Sequence, residues 1–137
     1  MKAGDRYEHL RNGLVREEPP TTPHDWDELE LQAHWFAGDF GREFVTTTGQ
    51  SVRIGQFGIW NHEAGPDFAE AAVSFDNGEV MRGAIEIDLD ARDWERHGHA
   101  TNADYESVAL HIFTRRAPTE FFTRTARHRL VPQVLLD

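Results

Sequence analysis

Cysteine is absent, which excludes disulfides and thiolate metal sites. Lysine is almost as scarce: Lys2 stands alone, and the other basic residues among the 14 are arginines. No apolar run approaches the roughly 18 residues of a membrane-spanning helix. The start, Met1-Lys2-Ala3-Gly4-Asp5-Arg6, lacks the apolar stretch of a signal peptide. Internal repeats and low-complexity tracts are also missing. These absences predict a cytoplasmic protein with no membrane segment. Positive charge is limited too, with 14 basic against 24 acidic side chains and a net charge of −10. That balance excludes a whole-surface nucleic-acid binder, because phosphate neutralisation needs clustered cations.

The basic residues that exist are unevenly placed. Arg115, Arg116, Arg124, Arg127 and Arg129 face only Glu120 and Asp137 over residues 111–137, leaving the acidic excess to the first 110. If the chain contacts nucleic acid, this arginine-bearing C-terminal segment is the expected contact; a solvated surface is the plainer reading. The 137 residues suffice for one domain with its own core, and 39% hydrophobic content fits a folded chain. Residues 1–24, charged and ending in Pro19-Pro20-Thr21-Thr22-Pro23, read as a weakly ordered leader with a short helix at 7–15. Residues 25–137 read as a single domain.

Within it, Asp25 is placed to cap a helix whose apolar face is Trp26, Leu29, Leu31, Trp35 and Phe36, ended by Gly38 and Gly41. Segments 43–47 and 51–57 are rich in β-branched and aromatic residues and read as a hairpin. A loop at 58–65 follows, then strands at 69–75 and 80–89 about the turn Asp76-Asn77-Gly78. Beyond a polar stretch with a helical turn at 93–96 and a His97-Gly98-His99 loop comes a strand at 107–113. In it Val108, Leu110 and Ile112 oppose Ala109, His111 and Phe113. A last strand at 127–136 is interrupted by Pro132. Together these predict an α+β fold with a mixed, hairpin-rich sheet flanked by helices.

Candidate chemistry centres on 61–88. Gly65 permits a tight turn, Pro66 fixes the chain, and Asp67 follows; Glu86 and Asp88, two apart on a strand, share a face. Brought together, three carboxylates repel unless a cation sits between them. Mg²⁺ or Mn²⁺ suits such oxygen ligands and activates water at a phosphodiester. The same residues serve equally as a turn cap and solvated acids on a polar strand face. His97, His99 and His111 are the second constellation: general acids or phosphate contacts beside the carboxylates, a transition-metal site, or a solvent loop and a hydrogen-bonded core histidine. Trp35 and Trp94 read as packing, and Trp60, in a loop beside Asn61, as packing or a base-stacking platform.

In order along the chain, Glu28-Leu29-Glu30-Leu31-Gln32-Ala33-His34-Trp35, Gly65-Pro66-Asp67-Phe68-Ala69-Glu70-Ala71, Gly83-Ala84-Ile85-Glu86-Ile87-Asp88, Asp93-Trp94-Glu95-Arg96-His97-Gly98-His99 and Tyr105-Glu106-Ser107-Val108-Ala109-Leu110-His111 resemble a bacterial family catalogued as a domain of unknown function, DUF2851. Pro66-Asp67 followed by Glu86-x-Asp88 in turn resembles the PD-(D/E)XK nuclease superfamily. That resemblance implies a restriction-endonuclease-like core. It also implies Asp67 and Glu86 as metal-binding acids, with Glu28 of the first helix as a further one. The motif's lysine would fall at Asp88. Two functions follow as expectations: a metal-dependent nuclease, or a catalytically inactive nuclease-like domain serving as a binding module.

Overall fold

The computed structural model describes residues 26–136; the expected leader, its short helix and Asp25 lie outside them. Helix α1, Glu28–Phe36, begins at Asp27, not at Asp25. Asp27 and Glu30 form a capping box, in which each side chain accepts from the other's backbone N–H at 2.7 and 2.9 Å. Two otherwise orphaned N–H groups are thereby satisfied, which is why the helix starts there. At the other end Gly38 adopts φ +81°, and Gly38 and Asp39 donate back to the carbonyls of Trp35 and His34. That Schellman arrangement requires a left-handed residue, hence glycine.

Strands β1 (Glu43–Val45) and β2 (Ser51–Gln56) form the expected hairpin, and β3 is a two-residue strand, Ile59–Trp60, inside the segment expected to be a loop. Strands β4 (Phe68–Phe75) and β5 (Met81–Asp90) turn through Asp76 and Asn77, both at positive φ. A short helix α2 (Asp93–Arg96) and two 3₁₀ turns, His99–Thr101 and Ala103–Tyr105, lead into β6, Val108–Arg115. Strands β7 (Thr123–Arg124) and β8 (Leu130–Val131) pair with each other, and Pro132 separates β8 from β9, Gln133–Leu135.

The main sheet runs β1-β2-β4-β5-β6-β9, with β3 added to β4. Its first half is antiparallel; β5, β6 and β9 are parallel. The change of sense follows from connection length: β4 and β5 are joined by a tight turn, whereas the crossover holding α2 lets β6 run alongside β5. The fold is therefore α+β with a mixed, hairpin-rich sheet.

Leu31 and Trp35 of α1 belong to one apolar core with Ile54, Phe57, Phe68, Ile85, Ile87, Leu110 and Ile112. Leu29 and Phe36 are exposed, so the apolar face of α1 is narrower than its sequence pattern. A second, smaller core gathers Ala84, Trp94, Tyr105, Val108 and Val131. Register places Glu86 opposite His111 and Asp88 opposite Phe113. Alternation along the strands then gives Glu86, Asp88 and His111 a face of their own, apart from Ile85 and Ile87.

Candidate metal centre

Asp67 enters the site from the end of the β4–β5 ladder. Gly65, at φ +112°, and Pro66 bring the chain in, and the Asn61 amide donates to the carbonyls of Ala64 and Pro66 at 3.0 and 3.1 Å. Beyond the Phe68–Ile85 pair the strands bond through side chains. The Asp67 N–H donates to Glu86 Oε1 at 3.1 Å, and the Ile87 N–H donates to Asp67 Oδ2 at 2.8 Å. Each carboxyl is thus held by the other strand's backbone.

Asp88 is fully buried. Its Oδ2 lies 2.8 Å from His111 Nε2, and His111 Nδ1 lies 2.8 Å from Thr123 Oγ1. Gln133 Nε2 donates to that hydroxyl at 2.9 Å. With the Asp88 oxygen as acceptor, the neutral ring carries its proton on Nε2, and its bare Nδ1 accepts from the Thr123 O–H. Thr47 continues the chain, donating to Gln133 Oε1 at 3.1 Å. Burial, with His99 nearby, pushes the His111 imidazole down to about 3, so it is neutral. Both its nitrogens are occupied and none of its surface is exposed, so it positions Asp88 and cannot itself reach a substrate.

His99 Nε2 lies 3.1 Å from Glu86 Oε2, and its ring stacks on Tyr105 at 3.8 Å between centroids, with Trp94 edge-on at 5.4 Å. Burial pushes the His99 imidazole down. The exposed His97 brings Nδ1 to 3.7 Å from Asp88 Oδ1. Asp88 Oδ1 and His99 Nδ1 are buried without a hydrogen-bond partner of ordinary donor–acceptor type. Glu28 reaches Asp88 from the first turn of α1; two carboxyls can bond only if one is protonated, which reconciles that contact with the orphan oxygen.

The electrostatics follow from this crowding. Burial pushes Asp67 up to about 9, with Glu86 adding and the Ile87 N–H opposing. Burial likewise pushes Glu86 up to about 9, with Asp88 adding and the Asp67 N–H opposing. Glu28 and Asp88 are both raised, chiefly by burial, and His99 and His97 hold Asp88 back. Four acids with raised affinity for protons, two of which, Asp67 and Glu86, resist ionisation at neutral pH, form a site that a cation would relieve.

All the residues singled out from sequence, Glu28, Asp67, Glu86, Asp88, His97, His99 and His111, meet in this region. The grouping differs from the expected Asp67–Glu86–Glu28 ligand set: one ligand atom each of Asp88, His97 and His99 lies within 4.8 Å of the others. Sequence reasoning missed Tyr105, Thr123 and Gln133. Only Gln133 left a signal, as a polar residue within the apolar run Val131 to Leu136.

Two tryptophans pack as expected. Trp35 and Trp94 are fully buried, and the Trp94 indole donates to the Arg124 carbonyl at 2.8 Å. Trp60 donates to Gln32 Oε1 at 2.9 Å and stacks on Phe68, so its ring is engaged internally. Among the arginines, Arg129 donates to the carbonyls of Glu106 and Val108, and Arg115 lies 3.8 Å from Asp90, a carboxylate already gripped by Arg92 at 2.8 Å. Arg116, Arg124 and Arg127 are exposed on the same segment. No helix of the described residues is long and apolar enough to cross a membrane.

No curated protein and no solved structure matches the chain. A family model described as "Protein of unknown function (DUF2851)" matches residues 28–136, from the first residue of α1 to the end of the described chain. The chain belongs to that family, DUF2851.

Proposed function

We propose that this protein is a divalent-metal-dependent phosphodiesterase acting on nucleic acid. The observation that carries the reading is the convergence of Glu28, Asp67, Glu86 and Asp88, three of them with strongly or clearly raised affinity for protons and the fourth with an orphan oxygen. The donor set fits Mg²⁺ or Mn²⁺, which take carboxylate oxygens and keep positions for water and phosphate. Asp67, Glu86 and Glu28 would hold the ion, with Asp88 beside them. When bound, the ion supplies Lewis-acid polarisation of a phosphodiester and acidification of water.

The chain's own residues contribute position and proton traffic. Asp67 and Glu86 release protons as they become ligands. His111 holds Asp88 in one orientation, and the exposed His97 is free to orient phosphate at the mouth of the site. Arg116, Arg124 and Arg127 provide positive charge for a polyanion despite the acidic whole, since local fields outweigh net charge at close range. The Pro66-Asp67 and Glu86-x-Asp88 spacing supports a restriction-endonuclease-like arrangement.

One observation favours a second reading. Asp88 occupies the position of the nuclease motif's lysine, and Lys2 is the sole lysine of the chain. A metal-binding but non-catalytic nuclease-like module fits that substitution. The deciding experiment joins Mn²⁺ titration calorimetry on wild type and Asp67→Ala to a cleavage assay on single-stranded, duplex and branched DNA. Cleavage lost with metal binding in Asp67→Ala supports the phosphodiesterase. Metal binding without cleavage of any substrate supports the module, and identical heats in both proteins remove Asp67 as a ligand.

A further inference from the structure

The cluster is not chemically uniform. Around Asp67 the near groups are carboxyls and a backbone N–H donor, and Glu86 has the Asp67 N–H together with His99 Nε2 at 3.1 Å. Around Asp88 Oδ1 they include imidazoles. This oxygen is fully buried; its neighbour Oδ2 takes the His111 Nε2–H, and the Glu28 carboxyl bonds Asp88 only while one of the two is protonated, a contact that a cation would replace. His97 Nδ1 stands 3.7 Å away, beyond hydrogen-bond range. Bonds from a metal to imidazole nitrogen or carboxylate oxygen are about 2.0–2.2 Å, so two ligands of one ion lie up to about 4.2 Å apart. The 3.7 Å gap is too wide for a hydrogen bond and the right size for a shared ion.

His99 completes the group. One ligand atom from each of Asp88, His97 and His99 falls within 4.8 Å of the others. His97, whose side chain is 49% exposed, is the member of the group with room to adjust. The other two are already fixed. Tyr105 stacks on His99 and sets its ring plane, and the Gln133–Thr123–His111 chain holds Asp88. Partners that orient a ligand in this way tune the affinity of metal sites. His99 Nδ1 is a second buried atom without a partner in the same group.

We infer that Asp88, His97 and His99 form a nitrogen-bearing site that takes a borderline transition ion of the Zn²⁺ class in preference to Mg²⁺. Imidazole nitrogen suits Zn²⁺ and Co²⁺, whereas Mg²⁺ demands oxygen. The inference shares with the proposed function the premise that the cluster accepts a cation. It is independent of whether nucleic acid is the substrate.

The test is Co²⁺ titration of the metal-stripped full-length chain, read by its visible d–d absorption, with Zn²⁺ and excess Mg²⁺ as competitors, on wild type and His97→Ala. The exposed His97 is chosen because its removal spares the core; circular dichroism and Mg²⁺ calorimetry of the variant check this. Wild type should give a d–d band that Zn²⁺ abolishes and Mg²⁺ leaves in place. His97→Ala should weaken Co²⁺ binding about tenfold or more, with Mg²⁺ binding unchanged. A superimposable titration in the variant, a band displaced by Mg²⁺, or no band in wild type overturns the inference. A His97-dependent band in a protein that cleaves no DNA would leave this site standing and remove the phosphodiesterase.

Discussion

Asp88 Oδ2 and His111 Nε2, 2.8 Å apart with both side chains wholly out of solvent, join the two central parallel strands through a neutral imidazole. The proton on Nε2 is held by the Asp88 acceptor, and from behind Gln133 donates to Thr123 while the Thr123 O–H donates to the bare Nδ1. Thr123→Val keeps the shape and removes the hydroxyl. The expected cost is about 1–3 kcal/mol, the penalty for a buried nitrogen left unpaired. Urea denaturation measures it, and nitrogen-15 spectra of His111 should show a mixed tautomer. A wild-type midpoint with a single tautomer would break the relay.

Cation binding should release protons. Asp67 and Glu86, raised to about 9 by burial, are largely protonated at pH 7, and a ligating carboxylate cannot keep its proton. Mn²⁺ calorimetry at pH 7 in buffers of different ionisation enthalpy should give buffer-dependent heats, and Asp67→Asn should reduce the dependence. Heats identical in every buffer would mean that these two acids do not bind the ion.

Stability should fall as pH rises. A group whose folded pKa exceeds its unfolded value stabilises fully below the unfolded value and loses that contribution as pH climbs through the folded one. For Glu86, with an ordinary value of 4.5 and a folded value of about 9, the loss spans that interval at up to about 1.4 kcal/mol per pH unit. His111, depressed to about 3, acts oppositely, adding stability as pH rises from about 3 to its ordinary value of 6.5. Above pH 6.5 the acids act without it, so thermal midpoints should drop between pH 7 and 9 for the metal-free chain. Glu86→Gln, neutral throughout, should flatten that drop and melt above wild type at pH 9. A variant that melts lower at pH 9 would deny the repulsive cluster.

The exposed arginines should separate into two kinds. Arg129 bonds two backbone carbonyls between β6 and the tail, so Arg129→Ala should lower the thermal midpoint. Arg127→Ala should leave it unchanged and, if the segment meets DNA, weaken binding uniformly across sequences with a shallower salt dependence. Unaltered DNA affinity in Arg116→Ala, Arg124→Ala and Arg127→Ala alike would move nucleic acid elsewhere on the surface.

Local signals carried much of the fold. The Asp76-Asn77-Gly78 turn, the alternation of Val108, Leu110 and Ile112 against His111 and Phe113, and the glycine after α1 act over a few residues, and each element formed where expected. The helix start was displaced because Asp27, with Glu30 three residues on, satisfies two N–H groups. Strand β3 escaped notice because a two-residue strand exists only through its partner, Phe68 and Ala69.

Sequence by itself offered the candidates: the turn and strand alternation pointed to Asp67, Glu86 and Asp88, the histidines His97, His99 and His111 stood near them along the chain, and the nuclease resemblance added Glu28. The pairing was decided in three dimensions. Parallel register set His111 beside Glu86 and let it reach Asp88, the crossover after β5 swung His97 and His99 back over the strand they follow, and a distant tail supplied Thr123 and Gln133. Strand alternation can place two carboxylates on one face, but which of them meets an imidazole and which a backbone N–H depends on contacts between segments far apart in the chain, and these exist only once the sheet has closed.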